Sequence, residues 1–221
     1  MRTRKDLPLT RIVQKTPATK GSQKWLQHFV QTDPQALQPK TLPPLTWLSP
    51  CAEDDFAEYM DSTFLGKLNL DHLAPTLPDF WPTSGPRWDG LARSGDKAVL
   101  VEAKAHIAEA LTTRSAATSP ASKALISVSL NRVKQALSAD DRSDWSRCFY
   151  QYANRIAHLW WLREHGVDAH LLFVGFVNAR DTPRPASAEA WQTLYKAADH
   201  ALGLSPAHAL ARYIHHSHPT P

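Results

Sequence analysis

The sequence predicts an α/β fold, a central mixed β-sheet flanked by helices. Residues 98–105 follow the turn pair Gly95-Asp96 and alternate between two faces, as a strand does. Residues 169–177 are apolar apart from His170, the pattern of a strand buried on both faces. Between these runs Ile126, Leu130, Val133 and Leu137 recur at helical spacing. The order helix, strand pair, helix, strand points to an α/β sandwich.

Taken in order, residues 1–48 read as an arm. Eight Lys and Arg up to Lys40 (Arg2, Arg4, Lys5, Arg11, Lys15, Lys20, Lys24, Lys40) face only Asp6 and Asp33. Prolines at 8, 17, 34, 39, 43 and 44 discourage long regular elements. A short helix is expected over 22–31, with Trp25, Leu26, Phe29 and Val30 on one face. Ser49-Pro50, followed by Glu53, Asp54 and Asp55, resembles a helix start, and Phe56, Tyr59, Met60 and Phe64 carry that helix to about residue 65. Residues 69–85, with three prolines, read as irregular. Ser119-Pro120 caps the next helix, and a second runs from Ser143-Asp144 to His165-Gly166. From Ser187 the pattern is helical and ends in a polar tail, whose His215, His216 and His218 are expected in solvent. The core therefore spans 49–178, with a C-terminal helical extension, 179–221, packed on it.

The bulk properties fit a globular chain with one sizeable core: 221 residues, 43% hydrophobic and 21% charged. A net charge of +4 leans only weakly toward polyanionic partners. Cys51 and Cys148 lack CxxC spacing, which argues against a disulfide framework or structural zinc and fits a reducing cytoplasm. Both are expected as small buried apolar residues. No apolar run approaches membrane-spanning length, and the N-terminus has no signal-peptide core.

The anomaly is a charged pair on an apolar strand. Strand period two puts Glu102 and Lys104 on one face with Leu100, while Val99, Val101, Ala103 and Ala105 take the other. Burying such charges without partners costs several kcal/mol. An internal ion pair is one explanation. Asp89 supplies another, because a hairpin turning at Ser94-Gly95-Asp96 brings it beside Glu102. Two carboxylates and a strand carbonyl make a hard oxygen site suited to Mg²⁺ or Mn²⁺. Lys104 is then available to orient a water or to neutralise charge on a phosphate.

The pattern Pro86-x-x-Asp89, a hairpin, then Glu102-Ala103-Lys104 resembles the PD-(D/E)XK, restriction endonuclease-like superfamily over residues 50–178. The resemblance implies a nuclease core in which Asp89 and Glu102 bind metal and Lys104 assists catalysis, with Glu58 as a candidate further acid and Glu53 as its rival. It also implies a nucleic-acid partner, DNA first, contacted by Gln151, Asn154 and Arg155. With His158 these form a polar stripe at i, i+3, i+4 and i+7, which alternatively reads as a solvated helix face. His106 continues the Lys104 face, either toward substrate or as a satisfied strand-end histidine. Trp88 reads as core. Two rivals stand beside the DNA nuclease: a nuclease-like fold that binds nucleic acid or protein without turnover, and an RNA-directed enzyme.

Overall fold

The computed structural model describes residues 16–111 and 114–221. The basic residues Arg2, Arg4, Lys5, Arg11 and Lys15 of the arm lie outside them. Five strands form one mixed sheet in chain order: β1 (Thr46–Ser49), β2 (Gly90–Ser94), β3 (Lys97–Lys104), β4 (Ala169–Gly175) and β5 (Ile214–Ser217). The first three run antiparallel and the last three parallel. Ser94 pairs with Lys97 across the two-residue turn Gly95-Asp96, where Gly95 takes the positive φ of 61° that such a turn requires. The parallel pairing of β3 and β4 needs a long crossover, and helices supply it.

The helices are α1 (Gly21–Thr32), α2 (Asp61–Lys67), α3 (Ile107–Ala110), α4 (Pro120–Ala136), α5 (Tyr150–Glu164) and α6 (Ala188–Ala201), of which α3, α4 and α5 form that crossover. Alternation along β3 splits the core in two, as expected. Val99, Val101 and Ala103 join Leu172, Val174 and Phe176 under Leu26 and Phe29 of α1. Ala98 and Leu100 join Leu171 and Phe173 in the cluster that includes residues of α4, α5 and α6. Each fully buried Leu or Phe stabilises the fold by about 1.5–3 kcal/mol. Among the described residues no helix is long and apolar enough to cross a membrane.

Several elements differ from the sequence expectation. Residues 50–65 are not one helix: a 3-10 turn at Ala52–Asp54 ends where Asp55 and Phe56 adopt left-handed conformations, and Tyr59 then bridges to Trp88. Helix begins only at Asp61, so the apolar spacing of Phe56, Tyr59 and Met60 belongs to a largely non-helical segment, not to a helix face. The helix expected from Ser143 starts at Tyr150. Before it, Asp144 closes a turn by accepting the Ser146 N–H, and Phe149 is left-handed. The stretch read as an arm contributes the expected helix, α1, and also strand β1, a strand that no sequence signal marked among its prolines. Cys51 is half-buried and Cys148 exposed, so neither is a core residue.

The polar tail is instead strand β5, with His215 and Ser217 buried. The His215 side chain is held by His170 on β4, Nε2 to Nδ1 at 2.9 Å, and by Thr41. Burial, with His170 beside it, pushes His215 down from 6.5 to about 4, and burial pushes His158 down to about 3. The unfolded chain protonates these histidines near pH 6.5 whereas the folded chain resists. Their contribution to stability is therefore complete above pH 6.5 and is lost as pH falls toward 4, at about 1.4 kcal/mol per histidine per pH unit. Urea midpoints measured from pH 7 to 4.5 should fall, and His215→Gln should make the fall shallower. An unchanged slope would contradict that assignment.

Gly175 closes β4 where Trp191 of α6 presses on the backbone. A Cβ there would lie 2.6 Å from the indole Cδ2. Gly175→Ala should cost about 1–3 kcal/mol, read from thermal or urea unfolding.

Candidate active site

The hairpin brings Asp89 to β3. Trp88 is fully buried and donates its N–H to the Tyr59 carbonyl at 3.0 Å, fixing the chain one residue before Asp89. One residue after it, Gly90 lies so close to β1 that a Cβ would meet the Ser49 carbonyl and Trp47, each at 3.0 Å. The loop before Trp88 is tied down by Asp61, which accepts N–H bonds from Ser84 and Gly85. Asp89 thus enters β2 from a clamped backbone, and its Oδ2 accepts the Ala103 N–H at 2.8 Å.

Glu102 is 2% exposed, on the face of β3 opposite Ala103. Its Oε1 contacts the Lys104 ammonium, which lies 3.8 Å from Asp89 Oδ2. Its Oε2 accepts from Arg155 Nε at 2.6 Å. Arg155, on α5, is itself buried. It donates further to the Arg87 carbonyl and to Asn154 Oδ1, and its guanidinium covers the Trp88 ring at 4.7 Å. The site therefore holds two carboxylates against two cations.

The carboxylates differ. Burial, and then the Glu102 charge, push Asp89 from 3.8 up to about 7, against the pull of Lys104 and the Ala103 N–H. Burial also acts to raise Glu102, but Arg155 and Lys104 outweigh it and hold this group below the usual carboxylate value. Burial lowers Lys104, but Glu102 and Asp89 outweigh that, so the ammonium stays charged. Near neutral pH, Glu102 is ionised and Asp89 is the group poised to gain or lose a proton.

Asp89, Glu102 and Lys104 come together as the hairpin requires. Glu58 lies on the extended segment beside Tyr59, where the bridge register sets it next to Asp89, and its Oε1 accepts from Gln23 of α1. Among the described residues no three His, Cys, Asp or Glu side chains gather into a metal-holding group, so Glu58 does not complete a triad of acids. Glu53 is exposed. The stripe on α5 is not a solvated face: Asn154, Arg155 and His158 are buried, His158 among the rings of Phe64, Phe80, Trp81 and Trp88, and Gln151 is half-buried. His106 pairs with Glu109 at 3.2 Å. The link from Arg155 to Glu102 was missed by sequence reasoning. Its signal was a guanidinium among Tyr152, Ala153, Ile156 and Leu159 on one helix, since a buried cation requires a buried anion. Comparison with family models, curated proteins and solved structures gave no match, so the reading of this site rests on its geometry.

Proposed function

We propose that this chain is a Mg²⁺-dependent nuclease of the PD-(D/E)XK type that hydrolyses DNA phosphodiester bonds. The observation that carries the reading is the meeting of Asp89, Glu102 and Lys104 at the hairpin, with Asp89 bonded to the backbone between the other two. The element order supports it too, with a helix before an antiparallel hairpin and helices leading into a parallel strand.

The donor set fits a hard cation. Two carboxylate side chains, completed by backbone, water and phosphate oxygens, match the way Mg²⁺ is bound with few protein ligands. Lowering Asp89 from about 7 by binding a cation would relieve the repulsion that Glu102 imposes on it. A cation held by Asp89 and Glu102 would supply polarisation of the scissile phosphate and a more acidic water. The chain's own groups do the rest. Arg155 orients Glu102 by holding one carboxylate oxygen. Lys104 remains an ammonium, so it acts by donating to charge that develops on phosphate and not by abstracting a proton.

A reading without turnover draws on one specific observation: both Glu102 oxygens already have cationic partners, so the network can stand as a structural ion cluster. Incubation of purified protein with single- and double-stranded DNA in Mg²⁺ or Mn²⁺ decides between them. Cleavage that EDTA stops and Glu102→Gln abolishes is expected. Absence of cleavage, together with no Mn²⁺ binding by calorimetry, leaves the cluster structural. RNA in the same assay tests the sugar requirement.

A further inference from the structure

A cavity of about 400 Å³ lies against the site. Its floor includes the buried Trp81 and Asn154, and its rim the exposed Ser84, Ala116 and Ser119, with Tyr150 half-buried between. Two wall residues connect to the acid cluster through Arg155. Asn154 accepts from Arg155, and Pro86 precedes Arg87, whose carbonyl accepts from the same guanidinium. From the cavity wall to the Glu102 carboxylate is one side chain. The helix α5 that carries Tyr150 and Asn154 leads directly into β4, which runs parallel to β3, so its N-terminal turn lies toward the Lys104 end of the sheet.

The lining chemistry selects the occupant. Among the described residues, none lining this cavity carries a charge, which favours a neutral occupant over a phosphate. It offers instead an indole, a phenol, an amide and several hydroxyls. The Tyr150 hydroxyl hydrogen-bonds with Ser115 and Asn154. Flat aromatic surface beside neutral donors and acceptors matches a nucleobase with its sugar. The volume suits one such unit and falls at the small end of ligand pockets.

The geometry points to this cavity as the seat of one unstacked nucleoside of the substrate strand, next to the phosphate held at Asp89, Glu102 and Lys104. The inference rests on the nuclease reading for the identity of that neighbouring phosphate. Its consequence is a substrate preference. A duplex must unpair and unstack a base to fill the cavity, whereas a single strand presents one freely. The preferred substrate is therefore single-stranded.

The test is fluorescence anisotropy with the full chain in EDTA, titrated with short labelled DNA and RNA oligonucleotides as single strands and as duplexes. Single strands should bind about tenfold or more tightly than duplex, the scale of one stacked base. Ala116→Trp plugs the rim and Tyr150→Ala removes the ring. Each should erase the preference while thermal unfolding stays cooperative, and two variants guard against one failing to fold. Equal affinity for both forms, or a preference that survives both substitutions, overturns the proposal. The assay needs no turnover, which separates the two readings. A cavity-dependent preference without Mg²⁺ cleavage sinks the nuclease and keeps the pocket. Duplex cleavage at full rate by both variants sinks the pocket and keeps the nuclease. The DNA and RNA arms identify the sugar.

Discussion

Asp89→Asn should make the metal-free protein more stable at pH 8 while removing its activity. The folded chain pushes the Asp89 carboxyl up to about 7 from an ordinary 3.8. A carboxyl raised by folding favours the native state when protonated, and that advantage is lost as pH climbs from 3.8 through 7. Above pH 7 the ionised group therefore costs the fold up to about 4 kcal/mol, an upper figure because structure relaxes around it. Asparagine keeps an oxygen for the Ala103 N–H and carries no charge against Glu102. Urea unfolding at pH 8, pH 5 and pH 4 should show the variant's gain largest at pH 8, smaller at pH 5 and slight at pH 4. Cleavage should fall about 10²-fold or more, as for loss of an essential electrostatic group. A stability gain with undiminished cleavage would remove Asp89 from the site. No gain at pH 8 would mean that its neighbours already compensate the charge.

Arg155→Met should destabilise the fold by about 3–5 kcal/mol, because it leaves Glu102 buried with one cation instead of two. The pair is closed to solvent, with side chains 4% and 3% exposed, so screening by salt is slight. The double variant Glu102→Met/Arg155→Met should recover most of that loss, since well-packed apolar replacements avoid the cost of desolvating two ions. Unfolding by urea in both variants measures it. A single-variant loss below about 1 kcal/mol, the range of exposed pairs, would mean that water reaches Glu102.

The parts of this fold legible in the sequence were those written in periodicity. Strand β3 and its hairpin, the apolar β4, and the helices α1 and α4 each repeat a side-chain pattern long enough to identify. Strand β1 has four residues between prolines, and β5 is half histidine, so their strand character comes from the neighbours they pair with. The helix expected over 50–65 failed because apolar spacing says nothing of backbone handedness, and Asp55 and Phe56 turn the chain. At the site, Asp89, Glu102 and Lys104 could be placed by register alone. Arg155 could not: its partner lies 53 residues away on another element, and only packing α5 onto the sheet joins them.

Strand β5 also bears on how the protein is made. The meander of β1 to β3 closes among its own residues, but β4 pairs with β3 across 71 positions and receives its second neighbour only when residues 214–217 arrive. During synthesis, seven buried residues from Ala169 to Gly175 thus wait with one edge bare. An apolar, unpaired edge is a template for other chains. The interval between β4 and β5 leaving the ribosome is when this protein most needs a chaperone, and a version stopped before Ile214 would be expected in the insoluble fraction.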